Sequence, residues 1–235
     1  MKKNRIGKIK YNKEIAKDTY KLVISSDVEE ISSGQFISIY CENKTLRRPF
    51  SVADFDNGNI TVLYKIKGDG TKYIKNLDEN DEIDFLAPLG NTFNFENVNS
   101  ALLIGAGIGI APMLFLKKEL NKKGIKNHLI SGFKDTKEVV EGSDEVVIGG
   151  SVLDEIENVV EKVNPDIIYS CGPSIVLKLV TEFGIKNNIK TQVAMEKVMA
   201  CGIGVCRGCI IELKNGENAS VCKDGPVFWG DTIKW

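Results

Sequence analysis

The sequence predicts a multidomain protein of the β plus α/β class, in which an antiparallel β-barrel precedes a parallel α/β domain and a small C-terminal metal-binding module. Short β-branched and aromatic runs separated by turn residues occupy the first hundred residues. A buried strand, a glycine loop and a helix follow from near Asn97, and four of the six cysteines fall within residues 201–222. The predicted boundaries are residues 1–97, 98–190 and 191–235.

The barrel is predicted from strands at residues 20–24, 35–40 and 60–64, which are rich in Val, Ile, Phe and Tyr. Turn signals separate them, including Gly34 and the Asp-Asn-Gly of residues 56–58. Strands at this spacing, without long helical segments between them, are typical of a small antiparallel barrel.

The second domain is predicted from alternating strands and helices. Residues 101–104 form a continuous apolar run, as expected of a strand buried on both faces, and residues 111–121 show helical periodicity. Further strands are expected at residues 128–130 and 166–170, and the second of these leads into a helix over residues 174–183. This alternation predicts a parallel sheet.

Composition and charge restrict the possible functions. The 235 residues are 43% hydrophobic and the net charge is −1, so no global basic field exists to hold nucleic acid. No apolar stretch is long enough to span a membrane, and no apolar secretory segment follows the charged residues 1–5. We therefore expect a cytoplasmic protein that binds neither nucleic acid nor a membrane.

The cysteine cluster is the most specific chemical signal. Its first three members have the C-x4-C-x2-C spacing of plant-type [2Fe–2S] ferredoxins, and the glycines between them permit a close approach of backbone amides to sulfur. A structural zinc site or four unrelated buried thiols are the alternatives, although zinc sites usually contain two C-x2-C pairs and only one is present. The predicted metal ligands are Cys201, Cys206, Cys209 and Cys222.

Two barrel segments could contact a phosphate-bearing cofactor. Residues 47–51 (Arg-Arg-Pro-Phe-Ser) offer an arginine to clamp a pyrophosphate, an aromatic ring and a hydroxyl group. Residues 67–71 (Lys-Gly-Asp-Gly-Thr) offer glycine amides and a hydroxyl group. Taken alone, the first could be a solvated arginine beside a strand and the second a plain hairpin turn.

A glycine loop, residues 105–112 (Gly-Ala-Gly-Ile-Gly-Ile-Ala-Pro), lies between the buried strand and its helix. This position suits a pyrophosphate that rests on backbone amides at a helix N-terminus. The loop departs from the Rossmann fingerprint because Ile110 occupies the third glycine position, and Pro112 falls in the first helical turn, where its missing N–H does no harm.

In this order, the motifs resemble those of the ferredoxin–NADP reductase superfamily. Its flavin signature R-x-[YF]-[ST] is matched at residues 48–51, its G-x-G-x-x-x-A-P loop at residues 105–112 and its C-G-P element at residues 171–173. Within that superfamily the whole chain resembles the electron-transfer subunits of type B dihydroorotate dehydrogenases, through M-A-C-G-x-G-x-C-x-G-C at residues 199–209 and C-x-D-G-P-V-F at residues 222–228.

The resemblance implies FAD in the barrel, NAD(H) on the α/β domain and a [2Fe–2S] cluster in the C-terminal module. The implied partner is an FMN-containing dihydroorotate dehydrogenase catalytic subunit, in a heterotetramer of two plus two subunits that serves pyrimidine biosynthesis. The implied FAD contacts are Arg48, Pro49, Phe50, Ser51, Leu63, Tyr64, Lys65, Gly70 and Thr71. The implied nicotinamide-side contacts are Gly105, Gly107, Gly109, Ala111, Pro112, Cys171, Gly172 and Pro173.

A flavin between nicotinamide and cluster makes physical sense, because a nicotinamide gives up two electrons as a hydride whereas the cluster accepts one at a time. Hydride transfer needs no general acid or base, so no catalytic residue is predicted. Two alternatives stay open: a NAD(P)H-dependent reductase subunit for ferredoxin, sulfide or sulfite metabolism, and a zinc-bearing binding protein. Lys134, beside the second α/β strand, leaves the choice between NADH and NADPH open.

Overall fold

The first part of the chain is a closed antiparallel barrel in a computed structural model that describes residues 3–235. The expectation that no secretory segment follows residues 1–5 begins at residues 1 and 2, and these two lie outside the described residues. The barrel strands are β1 (Lys3–Ala16), β2 (Thr19–Ser25), β3 (Phe36–Ile39), β4 (Arg48–Asp56), β5 (Asn59–Lys65) and β6 (Glu82–Leu89). They close in the order β1-β2-β5-β4-β3-β6, which confirms the predicted barrel.

Alternating side chains of β3 separate the barrel interior from its outer wall. Ile37 and Ile39 are fully buried in the core enclosed by the strands. Phe36, in contrast, packs in a second core with Cys209. A Cβ added to Gly202 would lie 3.7 Å from the Ser38 hydroxyl oxygen. The outer face of β3 is therefore where the C-terminal module docks on the barrel.

The hairpin alternative for residues 67–71 is wrong, because these residues begin helix α1 (Asp69–Lys75). The Thr71 hydroxyl oxygen accepts hydrogen bonds from the backbone N–H groups of Lys67 and Gly68, at 3.0 and 3.2 Å. The N–H groups at a helix start have no partner within the helix, so a nearby hydroxyl stabilises that start.

The second part of the chain contains a mixed six-stranded sheet and three helices. Its strands and those of the C-terminal module are β7 (Ser100–Ala106), β8 (Lys126–Phe133), β9 (Glu145–Ile148), β10 (Ile167–Cys171), β11 (Lys190–Ala194), β12 (Ile210–Glu212), β13 (Asn218–Ser220) and β14 (Val227–Trp229). The helices are α2 (Ile110–Lys122), α3 (Val152–Val163) and α4 (Ser174–Lys186). The sheet order is β14-β11-β10-β7-β8-β9, all parallel except β14, and β12 and β13 form a separate ribbon.

The two faces of this sheet are covered by different helices. Leu103 packs with α2 residues such as Met113, whereas Leu102 packs with Ile156 of α3 and Val180 of α4. The predicted strands and helices of this domain are confirmed, but the patterns above did not predict β9 or α3. The start of α3 carries a capping box, with Ser151 and Asp154 satisfying each other's backbone N–H groups, and that S-x-x-D signal could have found it.

Asn91 ties the barrel to the C-terminal module. Its side-chain amide donates to the carbonyl oxygens of Asp224 and Val227, at 3.1 and 2.8 Å, and its oxygen accepts from the Val227 N–H at 2.9 Å. Strand β14 of this module also extends the α/β sheet, so residues 191–235 share a sheet with the preceding domain. The domain boundaries stay predictions.

None of the helices in the described part of the chain combines the length and apolar character needed to cross a membrane.

Candidate functional site

A cavity of about 660 Å³ lies where the barrel, the α/β domain and the segment after β11 meet. Of the residues predicted to bind cofactors, those lining it are Arg48, Pro49, Phe50, Ser51, Leu63, Tyr64, Lys65, Gly70, Thr71, Ala111, Pro112 and Cys171. Gly105, Gly107, Gly109, Gly172 and Pro173 lie outside its lining. The fold thus brings segments far apart in sequence to one site.

Arg48 opens β4 and lies across the start of α1. A Cβ added to Gly70 would be 2.6 Å from Arg48 Nε, so a larger residue there would force the Arg48 side chain to shift. The Arg48 guanidinium also donates to the Leu46 carbonyl oxygen at 2.6 Å. Arg47 points elsewhere, because its guanidinium forms an ion pair with Asp84 at 2.8 Å. Of the two adjacent arginines, only Arg48 can offer its charge to a pyrophosphate in the cavity.

Tyr64 anchors the cavity wall from inside the barrel. It is 1% exposed, its ring lies edge-on to Phe50 with centroids 5.8 Å apart, and its hydroxyl donates to Asn12 Oδ1 at 2.8 Å. Burial raises the pKa of Tyr64 well above its usual value, so the hydroxyl stays neutral at physiological pH. The Tyr64 ring therefore holds β5 and Phe50 in place at the cavity wall.

The glycine loop and the C-G-P element touch at the carboxyl ends of β7 and β10. A Cβ on Gly109 would collide with the Cys171 carbonyl oxygen, and one on Gly172 would lie 2.7 Å from Ala106 Cβ. Gly107 has φ +57° and open space around it. It lines a small recess next to the cavity. Lys65 and Glu138 also line this recess and form an ion pair at 2.7 Å. A crevice at the carboxyl ends of parallel strands is the usual place for a dinucleotide.

Replacing Gly109 with alanine should lower the free energy of unfolding by about 1–3 kcal/mol, the usual cost of overpacking. Its backbone (φ −62°, ψ −11°) suits any residue, so the collision with Cys171 is the only source of the effect. Urea denaturation would measure it. Gly150→Ala is the matched control, because its Cβ would meet Val147 at an ordinary 3.5 Å. Equal stability of the two variants would contradict the close approach of the two loops.

Cys171 is 2% exposed at the cavity wall. Burial, and then the nearby carboxylate of Glu196, raise the pKa of the Cys171 thiol far above its usual value. The group is therefore a neutral thiol that can pack against a ring but cannot act as a nucleophile at neutral pH.

The four clustered cysteines surround a loop whose backbone amides point at sulfur. Gly202 and Gly204 have positive φ angles of 68° and 86°, which turn the chain around the thiols. The amides directed at sulfur, at 3.1–3.5 Å, are those of Ile203 and Cys206 toward Cys201, Gly204 toward Cys222, Gly208 toward Cys206 and Cys222 toward Cys209. Hydrogen bonds of this kind stabilise thiolates and tune a cluster bound to them.

Backbone amides connect the cysteines in two pairs, because the Cys206 N–H is directed at Cys201 Sγ and the Cys222 N–H at Cys209 Sγ, each at 3.4 Å. Although burial opposes ionisation, the amides of Cys206 and Ile203 lower the pKa of Cys201 to about 6. Burial, followed by the neighbouring Cys209, raises the pKa of Cys222 to about 12. Among the described residues, no three Cys, His, Asp or Glu side chains form a group that could hold a metal ion. The thiol spacing is that of plant-type [2Fe–2S] ferredoxins, and the amides directed at sulfur suit such a cluster.

One apolar wall separates the cavity from the cysteines. Phe36, Met195 and Met199 line the cavity, and all three pack in the core that contains Cys209 and Cys222. Met199 opens the cluster motif of residues 199–209, but no motif includes Phe36 or Met195, because nothing in their local sequence distinguishes them from ordinary core residues.

The remaining cysteine and the single histidine lie apart from the loop. Cys41 is fully buried and its thiol contacts the Gly70 carbonyl oxygen at 3.5 Å. His128 lies in β8 with its Nε2 3.5 Å from Glu145, which agrees with a structural role.

Comparison with known proteins agrees with these features. Residues 196–234 match the family model described as the iron-sulfur cluster binding domain of dihydroorotate dehydrogenase B. A protein of Caldanaerobacter subterraneus subsp. tengcongensis named "Dihydroorotate dehydrogenase B (NAD(+)), electron transfer subunit" is 37% identical, over 94% of this chain and 95% of its own. A protein of the same name from Clostridium perfringens is 36% identical over 97% of both chains.

Solved structures share the fold. An NADH-dependent reduced ferredoxin-NADP oxidoreductase, studied for flavin-based electron bifurcation, superposes with a TM-score of 0.86 at 27% identity, over 97% of this chain and 90% of its own. Phthalate dioxygenase reductase superposes with a TM-score of 0.66 at 17% identity, over 96% of this chain and 76% of its own, a likeness of fold alone.

Proposed function

The chain belongs to the family of electron-transfer subunits of dihydroorotate dehydrogenase B, and from this premise we propose how its residues perform that task. It passes electrons between NAD(H) and a catalytic dihydroorotate dehydrogenase subunit through FAD and a [2Fe–2S] cluster, in pyrimidine biosynthesis. One observation carries the proposal: a single cavity joins the flavin signature to the nicotinamide-side residues and shares an apolar wall with the cluster cysteines.

The barrel residues would bind and orient FAD. Arg48 would hold the pyrophosphate, while Pro49, Phe50 and Ser51 of β4 would line the ring, with β5 beside them. The Thr71 hydroxyl already closes the first turn of α1, so its proposed contribution is to hold Gly70 in place. Flavin, when bound, supplies the exchange between two-electron and one-electron chemistry.

The loops after β7 and β10 would position the nicotinamide against the cavity. Ala111, Pro112 and Cys171 reach the cavity itself, whereas Gly107 has open space around it and would leave room for the dinucleotide backbone. The neutral Cys171 thiol would exclude water there without adding charge. We propose NADH as the natural cofactor, because the relatives' names specify NAD(+).

The four cysteines would hold the cluster as thiolates, with backbone amides directed at sulfur. The iron–sulfur family match supports this over the zinc-bearing alternative. Identity of 36–37% over nearly whole chains supports the dihydroorotate dehydrogenase system over a reductase for ferredoxin, sulfide or sulfite metabolism.

The partner is the catalytic subunit, and the two-plus-two stoichiometry stays a prediction. We also propose a cytoplasmic location, because that compartment keeps thiols reduced and cluster ligation requires reduced cysteines.

Anaerobic titration of the purified chain with NADH tests the proposal. We expect the flavin absorbance to bleach and a rhombic EPR signal of a reduced [2Fe–2S] cluster to appear at low temperature. Orotate reduction should follow when the catalytic subunit is added. A colourless, zinc-containing protein that does not react with NADH would contradict the proposal.

A further inference from the structure

Helix α2 contacts the barrel as well as its own sheet. Phe115 is almost fully buried and packs in the barrel core, whereas Met113 and Leu116 pack against the sheet. The first turn of the same helix carries Ala111 and Pro112, which line the cofactor cavity. Helix α2 therefore joins the nicotinamide side of the cavity to the barrel that would hold FAD.

Apolar packing leaves part of the contact between these two domains unfilled. A second cavity of about 540 Å³ lies between them, lined by Ile15 and Thr61 of the barrel and by Leu114 and Val139 of the α/β domain, among others. Apolar contacts have no preferred direction, and domains of one chain move relative to each other unless their interface is large and apolar. Packing at Phe115 holds the domains together, but the angle between them depends on directed polar contacts.

Glu119 of α2 makes a buried polar contact with the barrel. Its Oε2 accepts hydrogen bonds from the hydroxyl and the backbone N–H of Ser33, at 2.5 and 3.1 Å. Ser33 is fully buried, so no water is available to replace the carboxylate as its partner. It also lies three residues before Phe36, which begins β3 and lines the cofactor cavity. A carboxylate of the α/β domain thus holds the barrel segment that leads into the cavity wall.

Two further contacts join the domains at other barrel segments. Lys118 Nζ lies 2.5 Å from Asp54 Oδ1 of β4, and Lys65 at the end of β5 pairs with Glu138 after β8. The side chains of Lys118 and Asp54 are 34% and 40% exposed, so water screens this pair and it contributes less than Glu119 does. Contacts at three separate barrel segments oppose rotation of the α/β domain about any one of them.

We propose that Glu119 is a positioning residue for hydride transfer, because through Ser33 it holds the α/β domain at the angle that brings the nicotinamide against the flavin. This inference rests on the proposed function, whose electron relay it aligns. Hydride transfer oxidises NADH to NAD⁺ and reduces flavin by the same two electrons and one hydrogen nucleus. It needs the two reacting atoms to be about 3–3.5 Å apart, and an error of about 1 Å can slow such a step roughly 100-fold. Glu119 lies outside the lining of the cofactor cavity, so it acts through the barrel.

Stopped-flow reduction of the FAD- and cluster-loaded chain by NADH tests the proposal. Glu119→Ala should lower the limiting rate of flavin reduction at saturating NADH by about tenfold or more, since the reacting atoms lose their alignment. The dissociation constant for NADH should change less than about twofold, because the loops that would hold the dinucleotide belong to the α/β domain itself. Glu119→Gln should restore most of the rate, because its amide oxygen still accepts from Ser33.

A spectroscopic measurement separates alignment from turnover. NAD⁺ added to the reduced chain should give a long-wavelength charge-transfer absorbance where the nicotinamide ring stacks on flavin. This absorbance should weaken in Glu119→Ala and return in Glu119→Gln. An unchanged absorbance in Glu119→Ala would contradict the proposal.

Lys117→Ala is the matched control on the same helix. Lys117 pairs with Asp144 at 2.7 Å, a contact that stays within the α/β domain, so its loss should leave the limiting rate unchanged. Flavin content and Tm check that the variants fold. If Glu119→Ala does not fold, Ser33→Ala removes the hydroxyl donor from the barrel side and should slow the same rate.

The outcomes separate the two proposals. If NADH does not reduce the unaltered chain, the proposed function and the inference both fail. If NADH reduces the unaltered chain and Glu119→Ala at the same limiting rate, Glu119 only stabilises the contact between the domains and the inference is wrong. Equal loss of rate in Lys117→Ala and Glu119→Ala would also overturn it, because α2 would then respond to any lost polar contact rather than to its contact with the barrel.

Discussion

Replacing Cys222 with alanine should remove the cluster and stop electron delivery to the catalytic subunit, while NADH still reduces the flavin. Cys222 is 1% exposed, lies beside Cys209 and accepts the Gly204 N–H at 3.1 Å. Its loss would leave three of the four thiolates that a [2Fe–2S] cluster needs. Alanine is chosen because a serine hydroxyl could still coordinate iron. Iron and sulfide content, the EPR signal of the reduced protein and orotate reduction would measure the loss.

The matched control for this variant is Cys41→Ala. Cys41 is also a fully buried thiol, but it lies in the barrel and contacts the Gly70 carbonyl oxygen rather than the cluster loop. It should therefore keep a full EPR signal. A Cys222 variant that keeps its iron, or that loses flavin reduction as completely as orotate reduction, would contradict the separation between the two cofactor sites.

Replacing Arg48 with alanine should weaken FAD binding about 10- to 150-fold, since hydrogen bonds to a charged group contribute about 1.5–3 kcal/mol. Arg48 lies at the cavity wall against Gly70 and is the arginine of the flavin signature. Titration of the deflavinated chain with FAD, followed by quenching of flavin fluorescence, would give the dissociation constant. The cluster lies outside this contact, so its EPR signal should stay unchanged when the variant is reduced chemically with dithionite rather than through the flavin.

Arg47→Ala is the control that shares charge, size and neighbourhood with Arg48. The Arg47 guanidinium pairs with Asp84 on the outer wall and does not line the cavity. FAD affinity should therefore change little in this variant. Equal loss of affinity in the two variants would show that net positive charge, rather than the position of Arg48, holds the cofactor.

Local sequence patterns were sufficient to predict most of the cofactor-binding and cluster-binding segments of this protein. The cluster loop is specified by residues 201–209, because thiolate spacing and glycines at positive φ act within a few residues of one another. The glycine loop was recognisable for the same reason, as a buried strand, a tight turn and a helix follow without interruption. Helix α3 escaped prediction although its capping box was visible, and the start of α1 was open to interpretation as a turn.

Only the tertiary structure decided how these local units face one another. It separated Arg48 from Arg47, directed the Cys222 N–H at Cys209 Sγ, and brought Phe36 to Met195 and Met199 in the wall between cavity and cluster. Such contacts join residues far apart in the chain. Their geometry depends on how whole sheets pack and how strands register, which no local pattern encodes. The sequence determined which cofactor-binding and cluster-binding residues the chain has, and tertiary packing determined where each of their side chains lies.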